Sequence, residues 1–504
     1  MASPHHLASA AGLNVLASGG NALDAAVAVN LTLGVVTPYL CGFGGDLFAM
    51  VWKDGLWAYN GSGRAPAAAT PEVARAVSEA EEVPTTGPHA VTVPGVTEAW
   101  FTLLERFGTR SFGDLAAEAL RYAREGFVLS GPAAASLARA RGRLSGSTEW
   151  WSLYGELGEG DLLRQPGLAR TIETLAAEGP DAYYRGPIAR AIVEQLRSLG
   201  GLMDELDLAE HHGDWVEPLR AIYRDVEVLE LPPSTQGVTA LEALRIVDRW
   251  GPTPPQGPDR EHLLLEAMKL SLADQATYVG DPSSMTLSAE ELISDAWVAE
   301  RLASIDPLVA KVPGPGRPDP RGTAYMCAAD EAGMLVSLIQ SNWMGFGSGV
   351  TVPDWGINLH NRGNLFSLDP EHPNAIGPRK RPLHTIIPAM AFRSGRPWLV
   401  FGSMGGYGQA GTHLQLLVRI VDDGADIQSA IDAPRWFVVP TDWTILVEDR
   451  FESTTLEELR RRGHAVSVTD AYDHTMGHAH AILVEESGYR AASDPRSEGA
   501  ALGL

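Results

Sequence analysis

The chain has 504 residues, of which 45% are hydrophobic, and a formal net charge of -24 at pH 7. Its length and composition are typical of a folded globular protein with a substantial core. The acidic balance argues against nucleic acid or an anionic membrane surface as a partner, because both would repel the chain. The most apolar stretch, residues 22–36, contains Asp24 and Asn30 and is too short and too polar to span a bilayer.

The N-terminus and the cysteine content together predict a cytoplasmic protein. Residues 1–6 contain no Lys or Arg, so the charged start of a secretory signal is missing. The two cysteines, Cys41 and Cys327, permit one disulfide but no disulfide framework, which fits a reducing compartment.

The first sixty residues predict two helices and a hairpin. Residues 6–16 have helical spacing, and Asn21 is expected to cap a second helix with Asp24 in its first turn. Two apolar runs within residues 47–60 flank an Asp54-Gly55 turn signal, which predicts the hairpin.

The middle of the chain, from residue 71 to about residue 306, is mostly helical in pattern. Its longest predicted helix covers residues 261–278 and carries its leucines on or near one face. Helices before and between pairs of strands predict an α+β fold, with helices covering both faces of antiparallel sheets.

Thr323 occupies an unusual junction. The Pro/Gly-rich run 312–322 cannot hold a helix or a ladder strand, and from Thr323 the chain becomes a hairpin pattern that turns over residues 330–333. If the bond before Thr323 were cut, its hydroxyl would gain a free α-amine as a base, with a reference pKa of about 7.7 to 8.0. The alternative is an ordinary β-branched strand residue.

The last third is richer in strands. A strand over residues 398–401 ends in a glycine-rich segment, residues 402–408, and a helix is predicted over 413–421. Thr454 and Glu457 predict a capping box for another helix, and residues 480–492 predict a final hairpin.

Eight segments in this order resemble landmarks of the γ-glutamyltranspeptidases, which are N-terminal-nucleophile hydrolases. They are residues 19–27, residues 41–45, Thr323 ahead of the Asp330 hairpin, and residues 346–349, 380–383, 402–406, 432–435 and 493–496. The resemblance covers nearly the whole chain.

The resemblance implies a four-layer αββα sandwich, made as a precursor that cuts itself between Gly322 and Thr323. Residues 1–322 would form a large fragment and residues 323–504 a small one, which together make one catalytic domain that pairs into a dimer. Thr323 would form an acyl-enzyme with a small-molecule amide, without metal or cofactor. The amides of Gly405 and Gly406 would bind the oxyanion, whereas the sequence of the two glycines alone favours a plain turn after a strand.

The departures from the family fall at its substrate-binding positions, which the resemblance assigns to Ser341, Trp343, His384 and Thr385. The family's arginine that binds the substrate carboxylate falls at or next to Ser62, two residues before Arg64. Its aspartate that binds the substrate ammonium aligns with Leu365. Because leucine cannot pair with an ammonium group, γ-glutamyl specificity is not expected.

The variant positions resemble a sister branch that includes oxamate amidohydrolase. Arg64 and Arg362 would each suit a small carboxylate, since a guanidinium binds it through two parallel hydrogen bonds. The alternative for both arginines is a structural or surface ion pair.

Three other functions stay open at this point. A true γ-glutamyltransferase or glutathione hydrolase is the nearest alternative, and a non-catalytic member that only binds its ligand is another. A zinc hydrolase would use Asp473, His474, His478 and His480, but no His-Glu-x-x-His motif or cysteine pair supports it.

Overall fold

The computed structural model describes residues 1–78, 82–313 and 323–504. The predicted processing residue Gly322, and most of the Pro/Gly-rich run before it, lie outside the described residues. None of the described helices combines the length and the apolar character needed to cross a membrane.

The described residues contain twenty strands. In chain order they are β1 Ala2–Ser3, β2 Asp46–Trp52, β3 Leu56–Gly61, β4 Phe127–Val128, β5 Leu162–Leu163, β6 Asp214–Val216, β7 Leu219–Tyr223, β8 Val226–Glu230, β9 Ala324–Ala329, β10 Leu335–Ser341, β11 Thr351–Val352, β12 Ile357–Asn358, β13 Ala389–Arg393, β14 Arg396–Ser403, β15 Trp436–Val438, β16 Ile445–Glu448, β17 Val466–Thr469, β18 Ala479–Glu485, β19 Gly488–Ser493 and β20 Ala500–Ala501.

The same part of the chain contains nineteen α-helices. They are α1 His6–Ala17, α2 Ala22–Val36, α3 Pro71–Ala76, α4 Val96–Phe107, α5 Phe112–Leu115, α6 Ala117–Glu125, α7 Gly131–Arg143, α8 Thr148–Tyr154, α9 Pro166–Glu178, α10 Asp181–Tyr184, α11 Pro187–Ser198, α12 Glu205–Ala209, α13 Gly237–Trp250, α14 Pro258–Tyr278, α15 Ala289–Leu292, α16 Asp295–Ser304, α17 Gly408–Leu417, α18 Ile427–Asp432 and α19 Ser453–Arg461.

Two antiparallel sheets form the centre of the molecule. The first has the strand order β20-β1-β9-β10-β2-β3-β6, and the second has the order β19-β18-β14-β13-β8-β7. Their facing sides share one apolar cluster, to which the first sheet contributes Phe48 and Tyr325 and the second contributes Met390 and Ile482. Helix α2 packs on β9 and β10, while α13 and α17 pack on the second sheet. The predicted αββα sandwich is therefore confirmed.

Both predicted fragments build each sheet. Every residue of β10, from Leu335 to Ser341, pairs with a residue of β2, and β13 pairs with β8 over its whole length. A cut before Thr323 would therefore leave the two fragments joined by backbone ladders in both sheets. This continuity is what a chain needs if it is to work after cleavage.

Several local predictions are confirmed. The Asn21 side chain accepts from the Asp24 amide and the Asp24 carboxylate accepts from the Asn21 amide, which makes the capping box of α2 complete. Both predicted hairpins around residues 47–60 and 480–492 are present. The hairpin after Thr323 is also present, although its first strand begins one residue later, at Ala324.

Two local predictions are wrong. The capping box of Thr454 and Glu457 does not form, because α19 begins at Ser453 and Glu452 occupies its N-cap without a side-chain hydrogen bond. The helix predicted from residue 413 begins earlier, at Gly408.

The region 71–306 is mostly helical, as predicted, but it also contains strands β7 and β8, whose turn uses Arg224 at φ 56° instead of a glycine. Cys41 and Cys327 are both free and buried, so the one disulfide that their number permits does not form.

Candidate active site

Thr323 lies directly before β9, in the middle of the first sheet, and is fully buried. Its hydroxyl donates a hydrogen bond to Ser341 Oγ at 3.2 Å. Ser341 is the last residue of β10, and the ladder pairs Ala324 with Gln340, so the hairpin register itself brings the two hydroxyls together. The geometry places a nucleophile candidate beside a second hydroxyl that can orient it.

A chain of contacts runs from Thr323 through most of the predicted site. Ser341 Oγ also accepts from the Trp343 amide at 2.8 Å. The Arg362 guanidinium lies over the Trp343 ring, 4.6 Å from its centroid, and Arg362 Nη1 donates to Thr385 Oγ1 at 3.1 Å. Four of the predicted substrate-binding residues are thereby connected to Thr323.

The glycine pair lies in the loop between β14 and α17. Gly405 and Gly406 have φ values of 142° and 57°, which glycine adopts at little steric cost. Within the described residues, neither of their amides donates a hydrogen bond to a protein acceptor. At the end of β14, a Cβ on Gly402 would lie 2.3 Å from the Tyr325 ring. The loop thus begins in close contact with β9, the strand after Thr323, and the amides of Gly405 and Gly406 are available to a ligand.

Gln236 joins this loop to the arginine side of the site. Its Nε2 donates to the carbonyl oxygens of Thr385 at 2.5 Å and of Gly406 at 2.8 Å. The side chain is completely buried at the start of α13. Gln236 fixes the backbone of Gly406 relative to Thr385, whose hydroxyl accepts the hydrogen bond from Arg362.

Two of the sequence landmarks support the glycine loop from behind. Arg435 and Asp494 form a fully buried ion pair at 2.7 Å. Arg435 Nη1 donates to the Gly477 carbonyl at 3.1 Å, and a Cβ on Gly405 would lie 3.3 Å from the Gly477 Cα. The charges of Arg435 and Arg496 outweigh the effect of burial and lower the pKa of Asp494 to about 2. The pair therefore stays ionised and braces the turn on which Gly405 rests.

Arg362 has unsatisfied hydrogen-bonding capacity close to the residues that contact Thr323. It is fully buried, and in the described part of the chain neither Nε nor Nη2 has a hydrogen-bond partner. Burial lowers the pKa of Arg362 to about 10, so the guanidinium remains charged at neutral pH. A buried cation with two unused donors is costly unless an anion pairs with it.

Asp46 is the nearest buried counter-charge to this arginine. One carboxylate oxygen accepts from two backbone amides at 3.0 and 3.2 Å. The other lies 3.3 Å from His384 Nε2 and 3.7 Å from His360 Nδ1. Burial alone would raise the pKa of Asp46, but these imidazoles and Arg362 lower it, so the carboxylate is ionised.

His384 is neutral in this setting. Burial, followed by the charge of Arg362, lowers its pKa to about 3, and Asp46 opposes that shift only in part. The neutral ring packs edge-on against Phe48, with 4.9 Å between ring centroids. His384 therefore brings an uncharged imidazole to the position next to Thr385.

Arg64 occupies a different environment from Arg362. Its Nη2 pairs with Asp214 Oδ2 at 3.2 Å, and its side chain is 34% exposed. Arg381 pairs with the same carboxylate. The structure therefore gives Arg64 an ion pair with a protein partner, and its substrate-binding role stays a prediction.

An apolar cavity of about 280 Å³ adjoins the site. It is lined by Trp343, Leu365, Tyr407 and Leu272 together with several polar side chains, of which Glu82 is the one carboxylate among the lining residues described. Leu365, which the resemblance aligns with the family's ammonium-binding aspartate, thus lines a mainly apolar space.

No described group of residues makes a convincing metal site. Asp473, His474, His478 and His480 do not bring three ligand atoms together within the described residues. His262, Glu266 and His464 do, within 4.8 Å, but the His262 Nδ1 and His464 Nε2 atoms already share a hydrogen bond at 2.8 Å. The Lys269 ammonium pairs with Glu266 and takes the place of a metal cation.

Three residues of the site were not identified from the sequence. Asp46 had a usable signal, because a charged residue stands at the start of an otherwise apolar strand directly after the glycine loop 41–45. Gln236 lies in a segment without any motif. Tyr407 packs edge-on against Trp343, with 6.2 Å between the ring centroids. It lies inside the glycine-rich segment and has no sequence signal of its own.

Comparisons with known proteins agree with this geometry. Residues 8–504 match the sequence profile of the family described as Gamma-glutamyltranspeptidase. The chain is 37% identical to the glutathione hydrolase-like YwrD proenzyme of Bacillus subtilis, covering 100% of this chain and 98% of that protein. It is 35% identical to the oxamate amidohydrolase proenzyme of Klebsiella pneumoniae, covering 99% and 97%. The solved cephalosporin acylase of Bacillus halodurans superposes with a TM-score of 0.94 at 38% identity, covering 99% and 94%.

Proposed function

The chain belongs to the γ-glutamyltranspeptidase family of N-terminal-nucleophile hydrolases, and from this premise we propose that it hydrolyses small amides whose acyl group carries a carboxylate. Oxamate is our candidate substrate within this class. The observation that carries this proposal is Arg362, a buried guanidinium close to Thr323 with two donors that no described protein group uses.

The first reaction in the proposal is self-processing. The Thr323 hydroxyl attacks the Gly322 carbonyl carbon, the acyl group moves from nitrogen to oxygen, and water hydrolyses the resulting ester. Gly322 keeps a carboxylate, and Thr323 gains a free α-amine. Residues 1–322 and 323–504 would then stay together through the strand pairs that both sheets share.

The second reaction is amide hydrolysis by the same hydroxyl. Thr323 Oγ1 attacks the substrate carbonyl and transfers its proton to the α-amine, with Ser341 orienting the oxygen. The amides of Gly405 and Gly406 stabilise the tetrahedral oxyanion. The amine part of the substrate, which is ammonia in the case of oxamate, takes that proton and leaves. Water then hydrolyses the acyl-enzyme to the free acid.

Recognition of the acyl group follows from the charges around Thr323. Arg362 supplies two parallel donors for a carboxylate, which is the geometry a guanidinium binds best. Thr385 holds the third side of the guanidinium, and Trp343 lies under its face. Leu365 offers nothing to an ammonium group, so a γ-glutamyl substrate would bury that charge without a partner.

A glutathione hydrolase or γ-glutamyltransferase is the second candidate function. It is favoured by the name of the Bacillus subtilis relative, which is similar over the whole chain. Glu82 at the cavity is the side chain that would have to replace the family's aspartate as the partner of the substrate ammonium.

The experiment that separates the two functions compares substrates on one processed preparation. We expect kcat/KM for oxamate to exceed that for γ-glutamyl-p-nitroanilide by about 10² or more, because an unpaired buried charge gives selectivity of this order. Glutaryl-p-nitroanilide, which lacks only the α-ammonium group, is the matched control and should be hydrolysed faster than the γ-glutamyl compound. A clear preference for the γ-glutamyl compound would establish the second function instead.

A non-catalytic family member is the alternative to both enzymatic functions, and it would purify as an intact chain that binds carboxylates without turnover. Two further expectations concern the state of the protein. A dimer of the processed pair of fragments, in the cytoplasm, is our expectation for the assembly and the compartment. Light scattering of the processed protein and fractionation of cells would test these two expectations.

A further inference from the structure

Trp343 contacts both the buried cation and the cavity beside the site. The Arg362 guanidinium lies 4.6 Å from the centre of its ring. Trp343 also lines the 280 Å³ cavity, together with Leu365 and Tyr407, and Arg362 is not among the residues lining that cavity. Trp343 thus belongs both to the surroundings of the buried cation and to the wall of the cavity.

The conformation of Trp343 is unusual for an ordinary core residue. Its φ is 72°, a value that is unfavourable for a non-glycine residue and that persists when the surrounding structure enforces it. The ring is 2% exposed, and its Nε1 has no hydrogen-bond partner among the described residues. Strained backbone conformations cluster at active sites and ligand-binding sites, and a buried donor without a partner also requires an explanation.

The backbone of Trp343 is also tied to the reacting residues. Its amide donates to Ser341 Oγ at 2.8 Å, and the next amide, that of Met344, donates to Asn361 Oδ1 at 3.0 Å. Ser341 in turn accepts from the Thr323 hydroxyl. The ring is therefore held at a fixed position relative to both Thr323 and Arg362.

We infer that Trp343 is a specificity-determining partition that limits the acyl chain to a short one. This inference rests on the proposed function, since it assumes a carboxylate at Arg362 and an acyl carbon at Thr323. With the ring in place, the acyl group must fit between those two residues. If the ring is shortened, the cavity joins that space, and monoamides of longer dicarboxylic acids can extend into it beside Leu365 and Tyr407.

The size of the effect follows from the added methylene groups. Each methylene buried in the apolar cavity improves binding by about fourfold, so three of them, the difference between oxamate and glutaramate, give up to about 60-fold. The same truncation removes the ring that backs Arg362, so kcat/KM for oxamate should fall by about tenfold. The ratio of glutaramate to oxamate hydrolysis should therefore rise by two orders of magnitude or more.

The test measures kcat/KM for oxamate, malonamate, succinamate and glutaramate on processed wild type, Trp343→Ala and Trp343→Phe. Trp343→Phe keeps a ring and should retain most of the preference for short acyl groups. Leu272→Ala is the matched control, because it enlarges the same cavity and leaves the partition in place, so the length preference should not change. Inhibition constants for oxalate and glutarate report the same shift without turnover.

The outcomes distinguish this inference from the proposed function. If wild type hydrolyses oxamate and Trp343→Ala shows unchanged ratios and unchanged inhibition constants, the partition is refuted and the proposed function stands. If Trp343→Ala instead gains activity only on oxamates with a bulky substituent on the amide nitrogen, the cavity holds the leaving group and the inference is wrong. If Thr323→Ala hydrolyses oxamate as well as wild type does, the proposed function itself fails.

Discussion

Replacing Arg362 by methionine tests the substrate-binding side of the account. Methionine fills a similar volume, so the change removes mainly the charge and the donors. Arg362 Nε and Nη2 are the two donors without a described partner. A hydrogen bond between charged groups contributes about 1.5 to 3 kcal/mol, so two of them contribute about 3 to 6 kcal/mol. We therefore expect kcat/KM for oxamate to fall by roughly 10² to 10⁴.

The assay includes a neutral substrate and two control variants. Oxamide has the same reacting carbonyl as oxamate but no carboxylate, so Arg362→Met should change its hydrolysis much less. Arg362→Lys keeps the charge without the planar pair of donors and should lie between wild type and Arg362→Met. Arg64→Met removes an arginine that already pairs with Asp214, and we expect less than about a threefold change from losing such an exposed pair.

One result would refute this reasoning. If Arg362→Met folds, processes itself and loses activity equally on oxamate and oxamide, the arginine supports the structure and does not bind the substrate carboxylate. If Arg64→Met instead gives the selective loss on oxamate, the carboxylate site lies at Arg64 and the assignment of the two arginines must be exchanged.

Three further predictions concern the glycine loop, its support and the base. Gly406→Pro removes one amide donor and cannot adopt the φ of 57°, so turnover should fall by about 10² to 10³ or more. The control is Gly395→Pro, at φ 72° in the exposed β13–β14 turn, which should lose stability but keep its turnover. Asp494→Asn leaves Arg435 buried without its counter-charge and should lower the free energy of unfolding by about 3 to 5 kcal/mol at pH 7 in denaturant titrations. The pKa of Asp494 is lowered to about 2, so the contribution of the carboxylate to stability exists above the unfolded pKa of about 3.9 and is lost as the pH falls towards 2. The stability of the variant should therefore differ least from that of wild type in acid. The acid limb of the pH profile of kcat/KM should follow the Thr323 α-amine near pH 7.7 to 8.0, since the base must be unprotonated. His384→Gln should leave that limb unmoved, because the pKa of His384 is about 3. A limb that moves by a full pH unit in His384→Gln would make the imidazole the base.

Much of the fold could be predicted from short-range signals. The Asn21 capping box, the Asp54-Gly55 turn and the Asp330 turn depend on residues within a few positions of each other, and each formed as expected. The turn between β7 and β8 has no such signal, because Arg224 adopts a positive φ without the help of glycine. Its two strands pair with each other, and β8 also pairs with β13, which is distant in sequence.

The site shows the same division. Thr323, Gly405 and Gly406 could be singled out from the sequence because they fall in the ordered segments that resemble the family, and their roles remain predictions. Gln236 could not be identified in this way, because its importance comes from contacts made over long sequence separations, with the carbonyls of Thr385 and Gly406. Asp46 carries a local signal, but its partners His360 and His384 are also distant in sequence. The difference between Arg64 and Arg362 likewise depends on burial and partners, which no single-sequence pattern contains.

The most direct test of the central claim is the state of the purified chain on a denaturing gel, with N-terminal sequencing of the smaller band. Wild type should give two fragments, the smaller one beginning Thr-Ala-Tyr, and Thr323→Ala should remain a single chain of 504 residues without amidase activity. Thr323→Ser retains a hydroxyl nucleophile and should still be processed. A wild-type chain that stays intact and hydrolyses oxamate at full rate would contradict the N-terminal-nucleophile mechanism.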